Sequence, residues 1–287
     1  MILISPLIEK GQQMSSPHVD DRRVIEPTEL DSRCDLLRSL HVPGAPLVLP
    51  NAWDVASARV VVAAGFPVVA TTSGGVAASL GYEDHERAPR DEMLAAAGRI
   101  AAGVEVPVTV DAEAGYGIEP TDLVADLREI GAAGCNLEDT NHATGELRDP
   151  VEHAAWLRAV REAASDQGYG LVINARIDIF LAAFLSESDG GSQRDLVDEA
   201  LRRAHAYAEA GADCVFPIVL WERDALAAFV SDAPGPVNVL RFPRAPDDTQ
   251  LAELGVARIS YGHLLHQDAM EQFSRLLGSL SSATAEE

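Results

Sequence analysis

Short apolar runs alternate with longer amphipathic ones along most of this chain. Runs of three to six apolar residues bounded by Gly or Pro read as buried parallel strands, and apolar positions recurring every three or four residues read as helices with one inward face. The strands fall at 47–50, 67–72, 106–110, 135–137, 171–175, 214–218, 237–240 and 257–260. Helical periodicity fills 55–64, 90–102, 120–133, 150–167 and 194–210, and helical sequence returns after the last three strands. Pro120 suits a first helical turn, and Gly65, Gly134, Gly170, Gly211 and Gly255, each before a strand, mark helix ends. Such alternation requires a parallel sheet, and eight units in this length match a closed (β/α)8 TIM barrel better than an open doubly wound sheet. We expect an α/β fold with one barrel domain over 29–287. Residues 1–28, without periodicity, are expected to form a mobile arm.

Charge narrows the partners. The 287 residues carry 22 Lys plus Arg against 45 Asp plus Glu, a formal charge of −23. A surface of that sign repels phosphate backbones and anionic lipid, which argues against nucleic acid and membrane. No stretch approaches the roughly 18 apolar residues of a membrane span, and the opening run lacks the basic region and cleavage site of a secretory leader. Cys34, Cys135 and Cys214 are too scattered for a disulfide framework or a zinc site, so a reducing cytoplasm is the expected setting.

Candidate chemistry collects at the carboxyl ends of the expected strands, where barrels of this kind carry their sites. The central stretch is VPVTVDAEAGYG, residues 106–117. If the strand runs through Asp111 and Glu113, their spacing of two puts both carboxylates on one face, where a divalent cation relieves their repulsion. Asn51 and Asp54 follow the first strand, Thr72, Ser73, Gly74 and Gly75 the second, and Glu138 with Asp139 the fourth. The fifth contributes Asn174, Arg176 and Asp178, and the seventh Asn238 and Arg241. A ring of acids with cations and small residues among them points to a metal-dependent site that handles an anion.

The runs PNAWDVASARVVVAAGFPVVATTSGGVAASLGYED, VTVDAEAGYG, GCNLED and INARIDIFL, in this order, resemble the isocitrate lyase and phosphoenolpyruvate mutase superfamily over about 47–277. The resemblance implies a barrel whose last helix is exchanged between subunits of a homotetramer or homodimer. It implies an enzyme using Mg²⁺, or alternatively Mn²⁺, that acts beside the carboxylate of a 2-oxo or 2-hydroxy acid through a pyruvate-like enolate. Asp111 matches the direct metal ligand, and Glu113, Asp84 and Glu138 match acids that hold the metal's waters. Ser73, Gly74 and Gly75 match the turn that grips the substrate carboxylate and oxo oxygen, Arg176 the arginine that pairs with that carboxylate, and Asn238 a polar residue near the distal part of larger substrates.

Departures from the family pattern narrow the chemistry. The loop 139–149 has neither the Lys nor the Cys with which the family's tricarboxylate lyases protonate a departing carbanion, and Thr140-Asn141-His142 only faintly echoes the run used by the mutases. Cys135 lies inside a strand as a core residue. His142 is the candidate acid or base of this loop, since imidazole titrates near neutral pH. The sixth strand ends in Phe216-Pro217-Ile218, where lyases of larger tricarboxylates have a glutamate after the proline. The leading expectation is a carbon–carbon lyase or decarboxylase of an oxaloacetate-sized acid. The alternatives are carbon–phosphorus chemistry on phosphonopyruvate or phosphoenolpyruvate, and a barrel that binds a 2-oxo acid without turning it over.

Overall fold

The computed structural model describes Arg23 and residues 25–186 and 192–284, with side chains to 281. Most of the expected arm, and 187–191, lie outside the described residues. Eight parallel strands alternate with helices in chain order. We number them β1 (Leu47–Leu49, continued after Pro50 by Asn51–Ala52), β2 (Val69–Thr71), β3 (Val108–Asp111), β4 (Gly134–Glu138), β5 (Val172–Ile177), β6 (Cys214–Pro217), β7 (Asn238–Leu240) and β8 (Arg258–Ser260). Pro50, which has no N–H for a ladder, divides β1. Its first half pairs with β8 and its second with β2. Ladders join β2 through β6 in order and β7 to β8, and a parallel bridge between Val215 and Val237 links β6 to β7.

Alternate strand positions point to opposite faces. Val108, Val110, Cys135, Leu137, Ile173 and Ala175 belong to the buried apolar core. The other parity carries Thr109, Asp111, Asn136, Glu138, Asn174 and Arg176, with Asn238, Arg258 and Ser260 on the last two strands. The interior of this barrel is thus polar where Val, Ile and Leu usually fill it. Asn174 donates to Asn136 at 2.8 Å, Arg258 to Asn136 at 3.1 Å and Ser260 to Asn238 at 3.0 Å.

Three helices were not expected. Pro27–Ser39 starts inside the supposed arm, buries Leu30, Cys34 and Leu37, and uses Arg33 to donate to the carbonyls of Ala101 and Val104. Ile179–Leu185 follows β5 directly, and Ser73–Leu80 follows β2. The last conceals itself behind Gly74-Gly75, a pair with poor helix propensity that reads as a turn. Two helix-end glycines also shift: Gly131 and Gly168 take the left-handed conformation, with φ of 74° and 62°, in place of Gly134 and Gly170. Gly134 instead opens β4, where a Cβ would come within 2.7 Å of the Val172 carbonyl oxygen. The C-terminal helix Leu264–Thr284 leaves Met270, Phe273, Leu276 and Leu277 exposed.

Candidate active site

Asp111 ends β3. Its N–H donates to Thr71 Oγ1 at 2.8 Å, its Oδ2 accepts the Ser73 N–H at 3.0 Å, and its Oδ1 is buried without a partner. The strand does not continue through Glu113, contrary to the expectation from spacing. Glu113 takes a left-handed φ of 49°, and a sharp turn throws its side chain inward. The turn is tied to β4: the Ala112 N–H donates to the Asn136 carbonyl and the Glu138 N–H to the Glu113 carbonyl. Glu113 Oε2 accepts the Glu86 N–H at 2.5 Å, and Glu86 Oε1 accepts the Tyr116 N–H at 2.7 Å. Burial drives the Glu113 carboxyl up to about 8, and repulsion from Asp111, Asp84 and Glu138 adds to it against the pull of the Glu86 N–H. Glu86 was not singled out from sequence, because nothing distinguishes it among the acids of 83–86.

Asp84 reaches the same region over Gly74, where a Cβ would lie 2.8 Å from Asp84 Oδ2. Ser73, Gly74 and Gly75 form the first turn of their helix, whose first internal bond runs from the Val76 N–H to the Thr72 carbonyl. The N–H groups of Gly74 and Gly75 accordingly have no intrahelical acceptor, and they lie at the positive end of the helix dipole. Such an end suits a carboxylate.

Glu138 is 2 % exposed at the end of β4. Its Oε2 pairs with Arg176 Nη1, while its Oε1 and His142 Nε2 approach to 2.5 Å without the alignment of a hydrogen bond. Burial raises the Glu138 carboxyl to about 7 although Arg176 and His142 both favour its charged form. Burial lowers His142, but Glu138, Glu86 and Glu113 outweigh it and the imidazole is raised overall. The loop carrying it is a hairpin, Thr140–Asn141 against Glu146–Leu147, with the His85 ring 5.4 Å from that of His142.

The fork of Arg176 lies on Asp178, with Nε at 2.6 Å and Nη2 at 2.9 Å. Asp178 also accepts from Thr140 Oγ1 at 2.5 Å, and its N–H donates to Asp139, which takes Arg203 at 2.8 Å and the Tyr207 hydroxyl at 2.7 Å. Arg176 is therefore held rigidly beside the acids, with Glu138 on its remaining nitrogen. Asn238 opens β7 in register with Arg258, deep in the barrel, rather than standing beyond the strand end. Cys135 is fully buried and burial pushes its thiol up to about 12, as suits a core residue.

Among the described residues, no three His, Cys, Asp or Glu side chains close on one point as a metal cage. The donor set fits a hard divalent cation in the looser sense: one carboxylate oxygen without a partner, amid acids close enough for Asp111, Asp84 and Glu138 to repel the Glu113 carboxylate.

The profile of the phosphoenolpyruvate phosphomutase family matches residues 37–280. A crystal structure of a Burkholderia cenocepacia protein, provisionally titled a phosphonomutase, shares 43% identity and a TM-score of 0.80 over 86% of this chain and 99% of its own. The phosphoenolpyruvate phosphomutase of Streptomyces hygroscopicus is 31% identical over 76% of this chain and 70% of its own. The crystal structure of 2,3-dimethylmalate lyase shares 26% identity and a TM-score of 0.73 over 87% of each chain. The chain belongs to the phosphoenolpyruvate phosphomutase family, within the superfamily that also contains the isocitrate lyases.

Proposed function

We propose that this chain is a divalent-metal-dependent enzyme that breaks or rearranges a bond at the carbon next to the oxo group of a small 2-oxo acid, through a pyruvate-type enolate. Asp111 carries this reading: a half-buried carboxylate with one oxygen held by the Ser73 N–H and the other buried without a partner, amid further acids and beside a helix N-terminus. Asp111 would hold the ion directly, with Asp84, Glu113 and Glu138 acting through water, and the bound ion supplies Lewis-acid polarisation of the oxo group. The N–H groups of Gly74 and Gly75, with the Ser73 hydroxyl, receive the carboxylate and the developing oxyanion. Arg176 provides the fixed positive charge facing that carboxylate, and His142, set against Glu138, is the candidate proton carrier.

On the bond broken, the comparisons favour carbon–phosphorus chemistry on phosphonopyruvate or phosphoenolpyruvate over the carbon–carbon cleavage expected from sequence. The family profile and two of the similar proteins carry phosphomutase or phosphonomutase names. Carbon–carbon cleavage remains the second reading on one observation, the shortage of cations for a phosphonate. Lys10 is the only lysine in the sequence, and Arg176 already faces Asp178 and Glu138.

A panel of phosphonopyruvate, phosphoenolpyruvate, oxaloacetate and 2-substituted malates with Mg²⁺, followed for phosphorus resonances, phosphate, pyruvate and carbon dioxide, tests the proposal. Turnover of at least one acid is expected, with loss of more than about 100-fold in Asp111→Ala, on the scale of other site-charge deletions. Isocitrate and methylisocitrate are expected to be poor, because Ile218 offers no partner to their extra polar groups. Unchanged turnover in Asp111→Ala would remove the metal assignment, and oxalate binding without turnover of any acid would leave a binding protein.

A further inference from the structure

Arg258, the first residue of β8, is 1 % exposed. The other buried arginines among the described residues each meet a carboxylate: Arg33 meets Glu29, Arg176 meets Asp178 and Arg203 meets Asp139. Arg258 meets none. Its Nη2 donates across the barrel to Asn136 Oδ1 at 3.1 Å, and Asn174 Nδ2 donates to the same oxygen at 2.8 Å. A buried cation without a counter-charge is costly, so its one well-made contact is informative.

Arginine has donors and no acceptor. The Asn136 amide therefore cannot be turned over: its oxygen must face Arg258 and Asn174, and its NH2 must face away from them. Among the described residues that NH2 donates to nothing, although Asn136 is only 8 % exposed and its strand neighbours Cys135 and Leu137 are fully buried. Asn136 lies in register with Asp111 on β3 and two residues before Glu138 on the same inward face. A fixed, unpartnered amide donor thus stands just below the acids of the site.

We propose that Asn136 Nδ2 donates a hydrogen bond to a carboxylate or oxo oxygen of the bound acid, and that Arg258 and Asn174 are positioning residues that hold the amide in this sense. This rests on the 2-oxo acid reading above. It makes Asn136 a specificity residue for ligands that present an acceptor oxygen at this depth.

The test compares oxalate binding by calorimetry with Mg²⁺ present, thermal unfolding, and the kinetics of the best acid. Asn136→Asp is nearly isosteric, exchanges the donor for an acceptor and gives Arg258 a carboxylate. It is expected to melt at or above the parent temperature while its oxalate Kd weakens at least tenfold and KM rises more than kcat falls. Asn136→Ser removes the amide NH2 and leaves only a shorter hydroxyl, without adding charge, and is also expected to weaken oxalate at least tenfold. Oxalate affinity within threefold of the parent in Asn136→Ser overturns the proposal, whatever Asn136→Asp does, because the effect is then one of charge. A parent that does not bind oxalate refutes the 2-oxo acid reading itself, whereas a parent that binds it equally with both variants refutes only the role of Asn136.

Discussion

At the scale of single residues, the site is a set of charges that only make sense together. Arg176 reconciles Glu138 with Asp178, and Asp178 in turn is held through Asp139, Arg203 and Tyr207. Lysine in place of Arg176 keeps the charge but cannot make the two-pronged contact with Asp178. Arg176→Lys should therefore lose about 1.5 to 3 kcal/mol of stability in urea unfolding, the worth of a hydrogen bond to a charged group, and weaken oxalate binding by a similar amount. A variant as stable as the parent would mean that the fork contributes little. Arg176 could be singled out from its place at a strand end, but its partners could not. Glu86, which holds both Glu113 and Tyr116, gave no signal at all, because its left-handed φ of 56° is set by the turn it docks against.

At the scale of elements, hydrophobic pattern located the strands well and the helices near glycine poorly. Ser73–Leu80 forms because Gly74 and Gly75 are demanded by close neighbours: a Cβ on Gly75 would lie 2.7 Å from a Thr72 methyl carbon. Local propensity argues against a helix there, and packing overrides it. The C-terminal helix shows the converse, a clear helical pattern whose apolar residues stay exposed. Exposed Met270, Phe273, Leu276 and Leu277 form an apolar face of the kind that marks an interface, and we propose that a second copy covers it. Phe273→Asp combined with Leu277→Asp should convert an oligomer to a monomer in sedimentation velocity. A parent that already sediments as a monomer, or a double variant that sediments like an oligomeric parent, would sink this assignment.

At the scale of the whole molecule, buried neutral histidines couple stability to pH. His153 has no hydrogen bond on either nitrogen and packs on Trp156 and Tyr207, and burial depresses it to about 3. His41 is lowered to about 4, first by burial and then by Arg258. Both are depressed below the unfolded value of about 6.5, so below that pH the unfolded chain takes up protons that the native chain refuses. Their contribution is whole above pH 6.5 and is lost as pH falls, through about 4 for His41 and about 3 for His153. At pH 5 the loss is about 2 kcal/mol per group. His153→Phe keeps an aromatic ring in the same packing and should flatten the pH dependence of the urea midpoint between pH 6 and 4. An unaltered slope would show that His153 is solvated in the native state.

The sequence by itself determined the architecture and the ring of candidate groups. Short runs rich in apolar residues mark the strands, helices on one face must be periodic, and a barrel places strand ends together, so Asp111, Glu138 and Arg176 could be named from their positions alone. Tertiary structure decided how deep each inward side chain lies and what it meets. Asn238 reads as a mouth residue until its register with Arg258 places it low in the barrel. Glu113 reads as a strand residue until the ties between its turn and β4 force φ positive. The pairing of Arg258 with Asn136 joins residues 122 positions apart. Periodicity reports which face a residue occupies, but stagger between strands and contact across the barrel set its layer and its partner, and both depend on all eight strands at once.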